Sequence, residues 1–157
     1  MISERQEILK ALRAGPLVLS RLVRGLTDEE VRARPAPDEW AIVEVVAYVA
    51  DTDERALART RRMLEDDEPE LAPYDQAALA IERDYLGMDL NQQLARFAAI
   101  RAEQVHLLGE LDDDGWQRTG HHGEHGRISV HQLAAHTAGE DADHLAQIAR
   151  LIPDADS

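Results

Sequence analysis

Apolar residues recur every third or fourth position through four long stretches of the chain, and proline, glycine or acidic runs close each stretch. That spacing keeps one face of a helix dry; a half-buried strand would alternate every two residues instead. The first stretch carries Ile8, Leu9, Leu12, Leu19, Leu22 and Val23, and Ser3 with Gln6 three positions on forms a capping-box start. Gly15-Pro16 falls inside this helix and predicts a kink or break, because proline removes a backbone donor. Thr27-Asp28-Glu29-Glu30 caps a short turn before Pro35-Ala36-Pro37 forces an extended link. Trp40 begins the second long helix, with Ile42, Val45, Val46, Val49, Ala56, Leu57 and Leu64 inward, and Glu65-Asp66-Asp67-Glu68-Pro69 ends it.

Asp75 caps a shorter helix running through about Tyr85, and Gly87 separates it from a third long helix carrying Leu90 to Leu111. Asp112-Asp113-Asp114-Gly115 stops that helix. Gly120-His121-His122-Gly123-Glu124-His125-Gly126 has no apolar period and reads as a turn or loop. Ser129 and Gln132 repeat the capping-box spacing and launch the last long helix, which runs to Ile152. With aromatic residues at only 4% of the 157, helices are favoured over sheets. The expectation is an all-α chain: one domain over residues 1–157, a four-helix bundle with short connecting helices.

Composition then removes whole classes of function. Lys and Arg number 17 against 31 Asp and Glu, a net charge of -14 that repels nucleic-acid backbones and anionic membranes. Neither is expected as a partner, and there is no basic stripe to offset the charge. The chain has no cysteine, which excludes disulfides, thiolate metal sites and a cysteine nucleophile. Residues 1–5 lead straight into a charged amphipathic pattern, and the longest apolar run, Ala41 to Ala50, is interrupted by Glu44. A cytoplasmic protein without a membrane span is expected.

Polar groups sit where the last helix should be dry. Its inward row runs Val130, Leu133, Thr137, Glu140 or Asp141, His144, Ile148 and Leu151. Glu140 and His144 lie one turn apart, so a carboxylate and an imidazole can share a metal ion or a proton; His136 lies a further turn back. Solvated groups along the edge of an amphipathic helix would give the same pattern. On the second helix Asp51 and Tyr48 could face the interior, where a carboxylate would suit a metal; an acidic turn pairing with Arg55 and Arg59 is the alternative. His121, His122 and His125 have the composition of a metal site, but a glycine-rich loop offers them no framework.

Three stretches carry a family resemblance. The run from Glu39-Trp40 through Glu44 and Tyr48 to Asp51, then Asp67-Glu68-Pro69 with Tyr74-Asp75, then His125 to Val130 continuing through His136 and Asp143 to Ile148, resemble in order the DinB-like (damage-inducible) four-helix-bundle superfamily. The resemblance implies a divalent ion held by three histidines, one on helix two and two on helix four. Carried over, those positions are Tyr48, Glu140 and His144, and only His144 is kept as histidine. Members with an intact site include metal-dependent transferases that use bacillithiol or mycothiol, and dimers are common, so a homodimer and a low-molecular-weight thiol partner are implied. A weakened site, completed by Asp51, would turn towards harder ions; zinc, nickel and manganese are the candidates. Without metal, Glu140 and His144 would form a hydrogen-bonded pair, with Tyr48 donating to the carboxylate. Two functions therefore stand open: a non-catalytic or small-ligand-binding bundle, and a divalent-metal-dependent thiol S-transferase or hydrolase acting between helices two and four.

Overall fold

A computed structural model describes residues 2–73 and 75–154. Four long helices dominate: α1 (Glu4–Val23), α3 (Ile42–Glu65), α5 (Leu90–Gly109) and α7 (Val130–Leu151), with short α2 (Asp28–Arg32), α4 (Gln76–Glu82) and α6 (Asp113–Gln117) between them. The helix starts follow the chemistry of their caps. Ser3, Thr27 and Ser129 each accept the backbone N–H three residues on while Gln6, Glu30 and Gln132 reach back, and Asp75, Asp89 and Asp112 cap by side chain alone. At α3 the cap position is Ala41, which has no side-chain acceptor, and Glu44 takes the Ala41 N–H at 3.1 Å. Arg34 grips that same carboxylate with two bonds of 2.8 Å, so although burial favours the neutral acid, Glu44 is held below the usual carboxylate range.

The long helices pack in a bundle whose buried apolar residues form two large clusters and a small third one of Ala47, Tyr48 and Tyr85. One large cluster gathers Leu12, Met63, Val105, Leu108, Trp116 and Leu133; the other gathers Leu19, Val23, Val46, Val49, Phe97 and Ile148. Among the described residues no helix is long and apolar enough to cross a membrane.

Three features depart from the expectations. Pro16 lies inside one uninterrupted helix, so Gly15-Pro16 does not break α1. Trp40 precedes α3, which starts at Ile42, and the segment through Tyr85 divides into α4 and a 3-10 turn at Tyr85–Gly87. The histidine-rich segment is more than a turn: residues 123–125 form one, but strands flank it on both sides. Strands β2 (Thr119–His122) and β3 (Gly126–Ser129) form an antiparallel hairpin with Thr119 opposite Ser129, and β1 (Glu70–Leu71) joins β2 in parallel. The His121 N–H donates to the Pro69 carbonyl, and Gly120 lets the hairpin lie close, since a Cβ there would stand 3.1 Å from both Met63 and the Pro69 oxygen. Arg118, just before β2, donates to the Met63 and Asp66 carbonyls and so closes the end of α3. Tyr74 lies outside the described residues.

Gly15 keeps α1 close to its neighbours, because a Cβ there would fall 2.5 Å from the buried Asp141 Oδ2. Gly15→Ala is expected to lower stability by about 1–3 kcal/mol in urea denaturation. Gly139→Ala, in α7 with nothing within 4 Å of the added carbon, is expected to raise it by about 0.5–1 kcal/mol.

Candidate functional site

A cleft of about 690 Å³ opens between α3, α7 and the β2–β3 hairpin. Its floor is ionic. Arg101 of α5 donates Nε and Nη2 to Asp53 of α3 at 3.0–3.2 Å, and Nη1 and Nη2 to Asp141 of α7 at 2.5 and 2.9 Å. Its Nη1 also donates to the Leu12 carbonyl of α1 at 2.9 Å. That carbonyl would ordinarily accept the N–H of residue 16, which proline lacks, so the guanidinium satisfies an acceptor that Pro16 leaves open. Arg101 and Asp53 are each 2% exposed and Asp141 9%. Burial pushes Asp53 up to about 6 against the opposing pull of Arg101.

One wall is α7. His136 Nε2 lies 2.8 Å from Glu140 Oε1, and His144 Nδ1 lies 3.3 Å from Gln147 Oε1. The Tyr48 ring of α3 sits between Trp40 and His144, edge-on to both, with centroids 5.2 and 5.4 Å apart. Tyr48, Glu140 and His144 thus all line the cleft. The metal-free pairing expected between Glu140 and His144 is not seen; the carboxylate turns to His136, one turn back instead of one turn on.

Asp51 goes elsewhere. Its carboxylate accepts the Tyr85 hydroxyl at 2.6 Å and pairs with Arg96 at 2.7 Å and Arg83 at 3.5 Å, away from the residues that line the cleft. Burial, and then the bond to Asp51, push the Tyr85 phenol up. Nor is this acidic stretch a solvated turn: Asp51 and Asp53 are both buried, and their partners Arg96 and Arg101 come from α5. Arg101 is the residue the sequence reading passed over. It occupies the inward row of α5 between Phe97 and Val105, and a charge in an apolar row is the signal that could have marked it.

The hairpin covers the cleft mouth with His122 and His125. His122 Nδ1 accepts the N–H groups of Glu124 and His125 at 3.1 and 3.3 Å. The His125 ring packs 4.7 Å from His122 and 5.5 Å from His136. Among the described residues no three His, Asp or Glu side chains converge as a metal centre.

The sequence matches the model of the DinB superfamily over residues 11–148. The chain belongs to that superfamily. A Geobacillus kaustophilus protein named "Putative metal-dependent hydrolase" is 28% identical over 149 residues, covering 94% of this chain and 84% of its own. An Oceanobacillus iheyensis protein of the same description is 26% identical over 136 residues, 87% and 78% of the two chains. The solved structure of YfiT from Bacillus subtilis, described as "a probable metal-dependent hydrolase with an unusual four-helix bundle topology", superposes with a TM-score of 0.88. It covers 96% of this chain and 88% of that one at 23% identity, and bears out the four-helix-bundle fold.

The buried floor gives two expected outcomes. Arg101→Met leaves two carboxylates buried without their cation and is expected to cost about 3–5 kcal/mol in urea denaturation. Because the folded value of Asp53 stands above its ordinary 3.8, the native state holds the extra proton. Asp53 therefore removes stability as pH rises from about 4 to about 6, and Asp53→Asn is expected to erase that component when urea midpoints are compared across the window.

Proposed function

We propose that this DinB-superfamily protein is a small-ligand-binding bundle whose cleft does not rely on a three-histidine metal centre. The carrying observation is the 2.8 Å contact between Glu140 and His136, which engages the carboxylate standing at one of the family's ligand positions. The donor chemistry agrees. Tyr48 stands at a second position, and a phenol with a pKa near about 10 binds a divalent ion strongly only after losing its proton. His144 is then the single imidazole of the set, and Tyr48, Glu140 and His144 do not fit the group that the family resemblance implies.

What remains is a concave site of ordinary ligand size, lined by mixed polar and apolar side chains and walled by two long helices. The second reading, a divalent-metal-dependent thiol S-transferase or hydrolase, is favoured by the names of the relatives from Geobacillus and Oceanobacillus. Elemental analysis of untagged protein, dialysed against trace zinc, nickel and manganese, separates the two. No stoichiometric ion and a melting temperature indifferent to chelator are expected. Roughly one ion per chain, lost in His144→Ala and accompanied by a chelator-induced fall in melting temperature, would establish the second reading instead.

A further inference from the structure

We propose that the outer face of α1 is a docking surface for an acidic amphipathic helix of a partner protein. Between Glu7 and Asp28 the chain has no acidic residue and four basic ones, Lys10, Arg13, Arg21 and Arg24, although its net charge is -14. Helical spacing collects them. Lys10, Arg13, Leu17, Arg21 and the cap residue Arg24 follow one another at intervals of three or four, so they share an arc of about 80° along about 21 Å of helix. All five are exposed, Leu17 by 62% and Val18 beside it by 40%, while Ile8, Leu12, Leu19 and Val23 enter the core from the opposite side. The stripe escaped the sequence reading because its members are dispersed through an apolar period, which hides a charge pattern until the helix is wound. No ion pair among the described residues includes any of the four cations. None of the five residues lines the cleft, so this surface is separate from the ligand site.

The geometry selects the occupant. The intervals run three, four, four, three, so the stripe reads the same in both directions about Leu17. A second copy laid antiparallel would match it in shape and oppose it in charge, setting Lys10 against Arg24 and Arg13 against Arg21. The complement is the same pattern with carboxylates in place of the cations and an apolar residue facing Leu17. Exposed acids close the stripe at both ends, Glu4 and Glu7 before it and Asp28 and Glu29 after it. An anionic membrane or a nucleic-acid duplex extends past those ends and meets the acids, whereas a partner helix of about four turns stops short of them. At physiological salt charges are screened beyond about 8 Å, so a contact confined to the stripe feels mainly its four cations.

The test uses a stapled helical peptide with leucine at its centre and two glutamates on either side, at the intervals of the stripe, titrated against the whole protein by fluorescence anisotropy. Saturable binding below about 1 mM, one peptide per chain, is expected, weakening as salt rises. Affinity is expected to fall about tenfold when glutamine replaces the peptide's glutamates and in the double variant Arg13→Glu with Arg21→Glu, because the charge pairs are lost. Leu17→Ser is expected to lower it by a similar factor through lost apolar contact. Circular dichroism checks that these surface variants fold. No saturable binding, equal binding of the glutamine peptide, or binding unchanged in the folded variants would overturn the proposal. So would tighter binding of phosphatidylserine-containing vesicles or duplex DNA, or self-association in sedimentation, where the double reversal abolishes it, since each assigns the stripe to a different occupant.

Discussion

A single buried guanidinium sets the register of the bundle. Arg101 of α5 reaches Asp53 on α3, Asp141 on α7 and the Leu12 carbonyl on α1, so each of the other three long helices supplies one partner to it. The two larger apolar clusters lie on either side of this layer. Along α5 the order is Phe97, Arg101, Val105, and along α1 it is Leu12, Gly15, Leu19. Hydrophobic contact is indifferent to a one-turn slip, whereas a buried charge is not, because slipping would strand it without partners. The ion layer therefore contributes mainly positional definition, with the net stability supplied by the clusters above and below it.

That layer also accounts for two residues that look like errors in a helix. Proline at 16 removes an N–H, and the vacated carbonyl becomes a ligand for Arg101. Glycine at 15 leaves the gap into which the Asp141–Arg101 pair fits. Neither residue distorts α1 enough to end it. The helix is retained because the missing bond is replaced from another helix.

The sequence disclosed what is local and hid what is not. Caps at Ser3, Thr27, Asp75 and Ser129 are legible because cap and partner lie three residues apart. Tyr48, Glu140 and His144 were placed on one cleft by helical period and by family likeness, and they line it. The partners of Asp51 and Asp53 (Arg83 and Tyr85, then Arg96 and Arg101 on α5) stand more than thirty residues away, beyond any local pattern. The hairpin was equally hidden. Gly120, His121 and His122 show no alternation of apolar and polar residues, and the strand is recruited by β1 and by the Pro69 carbonyl. The turn of Glu140 towards His136 was open from spacing alone, since both neighbours lie one turn away.

The small sheet ties together the two helices that flank the cleft. Strand β1 leaves the end of α3 after a short acidic link, and β3 ends at Ser129, the cap of α7. Arg118 fastens the start of the hairpin to the last carbonyls of α3. The histidine-bearing flap is thus hinged to both jaws at once. Spreading the jaws must strain or lift the flap, so the width of the cleft and the position of its cover behave as one mechanical coordinate.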